Sequence, residues 1–250
     1  MRIQRVRSLV RRGVTGARPV GDLVLRRATY ADLPETARIH VGLLPAGLFP
    51  ALGERFVRQW HRTYLDSPFG VALVACDAAD PAGGLAAILL GSTDHAGYMN
   101  SLLKNRRAVV RLAVAGAGGL LRRPRLTGRF LRTRARRWLP RVLLGRNPSW
   151  SQRSRGSGGP VALLDAVAVR PQLRGRGVAT DLVNRFLVEA GLRGARLAEL
   201  VTYTGSDGAA GFYDLLGWTP VGDYVNWDGS TVRIYRHSVT SPERERRVPG

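Results

Sequence analysis

Apolar positions along this chain recur with two different periods, and each change of period marks a new element. Short apolar runs at 23–29 ("LVLRRAT"), 70–77 ("GVALVACD") and 83–93 ("GGLAAILLGST") predict strands. The last two are joined by a turn rich in Ala, Gly, Pro and Asp, which predicts an antiparallel hairpin. Between the first and second strands, the segments 30–43 and 50–67 have the spacing of amphipathic helices.

The second half of the chain again alternates strands with helices. A glycine turn follows the first strand, and a later glycine, Gly217, suits the end of the short second helix. The predicted order is a strand at 160–169, the glycine turn at 170–177, a helix at about 178–194, a strand at 196–203, a helix at 207–217 and a closing hairpin at 218–237.

The segment between these halves is basic and amphipathic. From His95 to Leu164 there is no Asp or Glu but 16 Lys and Arg, out of a net charge of +21 for the chain. We predict two or three helices, broken near Gly116–Gly119, Pro124 and Pro140, followed by a flexible connector. The predicted organisation is one domain at 22–237 with this helical insertion at about 95–158, a disordered basic extension at 1–21 and a disordered tail at 238–250.

Composition narrows the classes of protein that this chain can be. With 250 residues and 44% hydrophobic positions, the chain can bury a globular core. Its one cysteine, Cys76, falls in an apolar strand, which predicts a core thiol and a reducing, cytoplasmic location. No apolar run is long enough to span a membrane, and the four scattered histidines predict no metal site.

The stretch from Ala166 to Val183, with its strand, glycine turn and helix, predicts an anion site at a helix N-terminus. A dinucleotide-binding fingerprint fits poorly, because Thr180 stands where its third glycine belongs and five residues separate the strand from the first glycine. A P-loop is excluded, since no Gly-Lys-Ser/Thr follows the turn.

Two motifs carry a resemblance to the GNAT acetyltransferases. The run 172–177, "QLRGRG", resembles their acetyl-CoA motif, Q/R-x-x-G-x-G/A, and follows a strand that ends in "VAVRP". The run 208–218, "GAAGFYDLLGW", resembles a later helix of the family. The resemblance covers roughly 23–94 and 160–236. It implies an α/β (α+β) fold with a mixed, mostly antiparallel sheet flanked by helices, and acetyl-CoA as the acyl donor without a metal.

The resemblance also implies roles for residues at matching positions. Tyr213 occupies the position of the proton donor to the leaving thiolate, with half-buried packing as the alternative. Asp165 is the candidate base, with an arginine partner as the alternative; strand alternation places it on one face with Val167 and Val169 until a bulge intervenes. Ser206 stands where the family often has Asn. The implied acetyl-CoA contacts are Val167, Val169, Gln172, Leu173, Arg174, Gly175, Arg176, Gly177, Val178, Ala179 and Ser206.

Three classes of function remain open from the sequence. The first is an N-acetyltransferase for the amine of a small molecule, such as an amino sugar or a nucleotide-linked amino sugar; an anionic acceptor would suit the basic insertion. The second is an acetyltransferase for protein N-termini or lysines. The third is a non-catalytic acyl-CoA module whose insertion contacts a membrane surface; nucleic acid is not expected. Candidates for the acceptor site are His40, His61, Tyr64, Asp94, His95 and Tyr98.

Overall fold

A computed structural model of the chain describes residues 18–20, 23–77, 79, 84–121, 159–205, 208–225 and 229–239. The expectations for the first 17 residues, for the insertion beyond residue 121, for Ser206 and for the tail from residue 240 lie outside these ranges. Within them, no helix is long and apolar enough to cross a membrane.

The described residues form eight strands: β1 (Arg18–Val20), β2 (Leu23–Arg27), β3 (Gly70–Asp77), β4 (Leu85–Ser92), β5 (Val161–Val169), β6 (Leu197–Tyr203), β7 (Thr219–Val225) and β8 (Thr231–Ser238). They make one sheet in the order β1-β2-β3-β4-β5-β6-β8-β7. All neighbours are antiparallel except β5 and β6, which are parallel, so the predicted mixed and mostly antiparallel sheet is confirmed. Strand β1 lies inside the segment expected to be a disordered extension.

Helices cover both faces of this sheet. A single 3-10 turn, Tyr30–Asp32, precedes the first helix, and another, Pro171–Leu173, lies in the glycine turn. The helices within the described residues are α1 (Leu33–Leu43), α2 (Leu48–Ala51), α3 (Glu54–Asp66), α4 (His95–Lys104), α5 (Arg106–Leu121), α6 (Val178–Leu192) and α7 (Ala210–Leu215).

The core has one large layer and two smaller ones. The buried stripe of α6, which includes Val178, Leu182 and Phe186, packs on one face of the sheet together with Tyr213 and Tyr235. On the other face, side chains from α1, α3 and α4 make two smaller clusters, one of which contains Cys76 as predicted. The sheet thus separates α6 from α1 and α3 of the N-terminal half and from α4 of the insertion.

Two helical predictions are corrected by the structure. The helix expected over 50–67 is interrupted after α2, because Gly53 adopts a φ of 90° and α3 starts anew at Glu54. The expected break near Gly116–Gly119 is wrong, since α5 continues through these glycines. Of these glycines, Gly119 is needed for close packing: a Cβ on it would lie 2.4 Å from the carbonyl oxygen of Leu52. The insertion breaks instead at Asn105, whose Oδ1 accepts the N–H of Ala108 at 3.1 Å.

Candidate functional site

A cleft opens between β5 and β6 in the middle of the sheet. The two strands pair only from Val161–Leu164 against 197–200, although β5 continues to Val169 and β6 to Tyr203. Exposure marks the point of separation: Leu200 is 1% exposed and Val201 is 39% exposed. A central strand pair that separates in this way presents backbone hydrogen-bonding groups to a ligand rather than to a neighbouring strand.

The backbone of Val167 and Val169 faces this cleft. The N–H of Arg170 donates to the carbonyl oxygen of Ala86 on β4 at 2.9 Å. Because successive residues of a strand direct their N–H and C=O groups to opposite sides, those of Val167 and Val169 point away from β4. Accordingly, the carbonyl oxygen of Val169 accepts the Nε of Arg174 at 3.2 Å. These are the two residues for which the resemblance implies backbone contacts.

A bulge at Asp165 reverses the faces of β5. Leu164 opposes Gly91 on β4 and Ala166 opposes Leu90, so Asp165 between them has no partner in the register. Leu164 and Val169 pack with α6, whereas Ala166 packs with α3 and α4 on the opposite face. The predicted bulge is therefore present, and Asp165 shares the face of Ala166 rather than that of Val167 and Val169.

The glycine turn forms an open loop at the start of α6. Gly175 and Gly177 have φ values of 75° and 83°, and a Cβ on either would meet nothing within 4 Å. Gly177 is the N-cap and provides no side chain, so the first N–H groups of α6 stay available for an anion. Val178, which is 2% exposed, anchors the loop in the core. The loop thus combines close backbone access, a helix N-terminus and two exposed arginines, Arg174 and Arg176.

Arg170 fixes the base of this loop, a contact that the sequence did not reveal. Its Nε donates to the carbonyl oxygen of Leu85 at 2.6 Å, and its Nη2 lies 2.8 Å from Oε1 of Glu35 on α1. The same Glu35 oxygen accepts the N–H of Leu85 at 3.1 Å. The loop is therefore tied to both α1 and β4.

Asp165 lies in a buried aromatic environment. Burial raises the pKa of its carboxyl group to about 7, and the nearby hydroxyl of Tyr64 acts in the opposite direction. Its Oδ2 is buried and has no hydrogen-bond partner among the described residues, where no arginine pairs with it either. A buried carboxylate without a counter-ion is costly unless it takes up a proton. This environment suits a group that gains and loses a proton near neutral pH.

Tyr213 lies in a separate aromatic cluster on the other face. Its ring contacts those of Phe212, Trp218 and Tyr235, with centroids 5.0, 5.7 and 6.0 Å away. Helix α7 ends in a motif in which the N–H of Trp218 donates to the carbonyl oxygen of Tyr213 at 3.0 Å, beside Gly217 with its φ of 78°. Burial raises the pKa of Tyr213, so its hydroxyl keeps its proton at neutral pH.

The six acceptor-site candidates divide into two groups. Tyr64 and Tyr98 stack at 4.9 Å beside Asp165. Asp94 caps α4 by accepting the N–H of Gly97 at 3.0 Å, which is a structural role.

Three histidines make up the second group. His61 is buried between α1 and α3, where its Nε2 lies 3.3 Å from Nδ1 of His40 and its Nδ1 lies 3.0 Å from Oγ1 of Thr36. His95 lies 3.5 Å from Oγ of Ser92, and burial lowers its pKa to about 4. Of the six candidates, only the two tyrosines therefore lie near the candidate base.

One buried charge near the cleft was not anticipated as part of a site. Glu199 on β6 is 1% exposed, and its Oε1 accepts a hydrogen bond from Nε of Arg236 on β8 at 3.1 Å. It pairs in register with Leu163, one row from the point where β5 and β6 separate. A glutamate in an otherwise apolar strand could have indicated a buried charge from the sequence alone. Its partner, Arg236, is evident only from the pairing of β6 with β8.

A direct comparison identifies the family that the segment with the glycine loop resembles. Residues 142–218 match the family model described as "Acetyltransferase (GNAT) family". The chain carries a GNAT acetyltransferase domain. Members of this family are acyltransferases with acetyl-CoA as the donor, and the match spans β5, the glycine loop, α6, β6 and α7. No group of three or more His, Cys, Asp or Glu that could hold a metal occurs among the described residues.

Solved structures share the fold of this chain at low sequence identity. A mutant of agmatine N-acetyltransferase in its apo form is 16% identical with a TM-score of 0.53, covering 87% of this chain and 100% of its own. An N-acetyltransferase from Staphylococcus aureus Mu50 is 12% identical with a TM-score of 0.52, covering 88% and 100%. NAA60 from Arabidopsis thaliana, in complex with acetyl-CoA, is 16% identical with a TM-score of 0.50, covering 87% and 98%. A comparison with curated proteins finds no match.

Proposed function

We propose that this domain transfers an acetyl group from acetyl-CoA to the amine of a small molecule, within a ternary complex. The observation that carries the proposal is the separation of β5 from β6 after Leu164, next to an open glycine loop at the start of α6. A cleft lined by backbone groups that face away from β4 suits the pantetheine arm, and the helix N-terminus suits the pyrophosphate. The two features fit the two chemically distinct parts of one donor.

The acetyl-CoA contacts that we propose lie along this cleft and loop. The backbone of Val167 and Val169 would bind the pantetheine arm as an added strand. The side chains of Arg174 and Arg176 add positive charge near the pyrophosphate. Backbone N–H groups would bind the pyrophosphate, with contacts from Gln172, Leu173, Gly175, Gly177, Val178 and Ala179. Ser206 is proposed for the arm on resemblance alone.

Two side chains would move protons during transfer. Bound acetyl-CoA supplies an activated thioester, whose carbonyl carbon forms the new bond to the acceptor nitrogen as the bond to sulfur breaks. Asp165 would accept the proton that the acceptor amine loses, for which a pKa of about 7 is well matched. Tyr213 would donate its hydroxyl proton to the departing sulfur.

The acceptor side supports a small substrate over a protein. The loop between α1 and α2 reaches the C-terminal end of β6: a Cβ on Gly47 would lie 4.0 Å from the hydroxyl oxygen of Tyr203. Helix α4 of the insertion packs over β5 on the same face, where Tyr98 meets Tyr64. These two contacts narrow the approach to the cleft, which favours a small acceptor over an extended peptide. Amino sugars are the acceptor class that we propose, and nucleotide-linked ones come first because their phosphate groups are anions that the basic insertion attracts.

A screen for release of free CoA tests this function. Purified full-length protein and acetyl-CoA are incubated with an amino sugar, a nucleotide-linked amino sugar, a short diamine and a peptide with a free N-terminus. We expect acceptor-dependent release of CoA with a small amine, and an acetylated product by mass spectrometry. Release with the peptide and none of the small amines would overturn the small-molecule assignment. Acetyl-CoA binding without transfer to any of the four would favour the non-catalytic acyl-CoA module instead.

A further inference from the structure

A chain of hydrogen bonds between α1 and α3 determines which nitrogen of a buried histidine carries a hydrogen. The hydroxyl of Thr36 donates to the carbonyl oxygen of Leu33 at 3.1 Å. Its single hydrogen is thereby used, so the hydroxyl accepts at its 3.0 Å contact with Nδ1 of His61. Burial holds the pKa of His61 well below its ordinary value, so the ring is neutral and only Nδ1 carries a hydrogen.

The same argument then determines the hydrogens of His40. Nε2 of His61 lies 3.3 Å from Nδ1 of His40. Because this nitrogen of His61 has no hydrogen, Nδ1 of His40 is the donor. Burial lowers the pKa of His40 to about 4, so this ring is also neutral at pH 7. Its second nitrogen, Nε2, can therefore only accept a hydrogen bond.

Nε2 of His40 has no donor from the protein and reaches the surface. Within the described residues, the hydrogen bonding of this ring ends at His61. Fully buried oxygens without a partner do occur there, such as Oδ2 of Asp165, but Nε2 of His40 is not a fully buried atom of this kind. The ring is enclosed except for this contact with solvent, since His40 is only 5% exposed. A ligand can supply the missing donor.

Aromatic rings extend from His40 towards the candidate base. The ring of Trp60 meets that of His40 edge to face at 5.3 Å, and the ring of Phe49 meets Trp60 at 4.7 Å. Both are only half-buried. Trp60 also packs on the cluster that contains Tyr64 and Ala166, the residue after Asp165. Trp60 thus connects His40 to the surroundings of the candidate base.

The end of α1 that carries His40 borders the acceptor side of the cleft. The N–H of Leu44 donates to the carbonyl oxygen of His40 at 2.8 Å, and its side chain packs on the same cluster as Trp60. The chain then continues to Gly47, which approaches Tyr203 at the end of β6.

The chemistry of these groups limits what can bind beside them. A nitrogen that only accepts can bind an O–H or N–H group, but not a carboxylate or a phosphate. A second ammonium group is disfavoured by the net charge of +21. Half-buried aromatic rings provide apolar area for a ring of similar size. These features together fit a ring that carries hydroxyl groups.

We propose that His40 is a specificity-determining residue, whose Nε2 accepts a hydrogen bond from a hydroxyl group of the acceptor while Trp60 and Phe49 pack against its ring. The acceptor class is then a hydroxylated ring amine, such as an amino sugar. This inference rests on the proposed function, and it assigns the recognition of the acceptor to a group apart from the candidate base.

Nitrogen-15 NMR of the full-length protein with labelled histidines tests the assignment directly, with acetyl-CoA bound and through-bond correlations to assign the signals. We expect His40 to carry its hydrogen on Nδ1. Glucosamine should shift the signal of its bare Nε2, whereas cyclohexylamine, an amine on a six-membered ring without hydroxyls, should not. A hydrogen on Nε2 in the absence of an acceptor, or a signal that glucosamine leaves unshifted, would overturn the proposal.

Kinetics of His40→Asn provide a second test. The asparagine amide can still donate to His61, but it has no counterpart of Nε2. We expect the KM for glucosamine to rise roughly 10-fold, while the KM for cyclohexylamine and the affinity for acetyl-CoA stay unchanged. The matched control is His237→Asn, at a half-buried histidine on β8, which should change neither KM. An equal rise for both amines would mean that His40 only supports the packing of α1.

The two possible failures are distinguishable. If both amines are acetylated and glucosamine leaves the His40 signal unshifted, only the role of His40 is refuted. If acetyl-CoA binds but no amine is acetylated, the proposed function is refuted. The titration uses the unaltered protein, so it decides the role of His40 even if His40→Asn does not fold.

Discussion

Leu164 pairs with both neighbouring strands, whereas Asp165, the next residue, pairs with neither. The cleft towards β6 and the bulge against β4 thus begin at the same point of β5. Beyond it, the backbone groups of Val167 and Val169 face the cleft, while the Asp165 side chain lies on the face that carries α3 and α4. One local irregularity therefore places a binding edge for the donor and a candidate base for the acceptor within a few residues of each other.

Gly175→Glu should weaken acetyl-CoA binding by more than about 100-fold, because a side chain and a negative charge would enter the pyrophosphate loop. Gly194→Glu is the matched control. Gly194 has a φ of 82° and equally open surroundings, but it follows the opposite end of α6. Isothermal calorimetry on both variants makes the comparison. Equal affinities would show that the loop is not the pyrophosphate site.

Tyr213→Phe should reduce turnover by roughly 100-fold while acetyl-CoA affinity changes little, because only the proton donor is lost. The control is Tyr235→Phe, in the same aromatic cluster, where the hydroxyl donates to Oδ1 of Asp214 at 2.8 Å. We expect that variant to lose about 1 kcal/mol of stability and to retain turnover. Steady-state kinetics with thermal unfolding separates the two effects. Turnover equal to that of the wild type in Tyr213→Phe would show that Tyr213 only packs in the core and donates no proton in the reaction.

Asp165→Asn should make the protein less active but more stable at alkaline pH. The folded-state pKa is about 7, above the ordinary 3.8, so its contribution to stability is full below pH 3.8 and lost as pH rises through 7. Asparagine does not ionise, so the variant should exceed the wild type by at most about 4 kcal/mol at pH 8 and by little at pH 4. Urea unfolding at both values measures the difference. A variant that is less stable than the wild type at pH 8 would contradict the buried, unpaired carboxylate.

Gly119→Ala should destabilise the chain by about 1–3 kcal/mol, because its Cβ would meet the carbonyl oxygen of Leu52 at 2.4 Å. Gly118→Ala, one position earlier on α5, would meet nothing within 4 Å and should stabilise the helix by about 0.5–1 kcal/mol. Chemical denaturation of the two variants measures the change in the free energy of unfolding for each. A change of the same sign in both would mean that α5 does not pack against Leu52 as described.

The strand, glycine turn and helix around Gly175 could be predicted because the signal is local. Apolar β-branched residues, glycines and helical spacing follow each other within about twenty residues, and Gly217 similarly marks the end of α7. Propensity failed at Gly116–Gly119, where close packing on Leu52 outweighs the cost of glycine in a helix. Local signals are thus sufficient for the donor site but are overridden where two helices come into contact.

The surroundings of Asp165 could not be predicted, because they depend on register and long-range packing. The position of the bulge is set by how β4 pairs with β5, and no residue in "LLDAVAV" fixes it alone. The contact between Tyr64 and Tyr98 joins two helices that are separated by β3 and β4 in the sequence. Both tyrosines were candidates by residue type, but only the fold selects them over His40, His61 and Asp94.

Calorimetric titration of the full-length protein with acetyl-CoA, with adenosine diphosphate and NAD as comparison ligands, tests the central claim most directly. If the cleft beyond Leu164 and the loop at Gly175 form one donor site, acetyl-CoA binds at a single site and more tightly than either comparison ligand. Equal binding of acetyl-CoA and adenosine diphosphate would mean that the cleft contributes nothing. No binding of acetyl-CoA to the folded protein would contradict the assignment of this site.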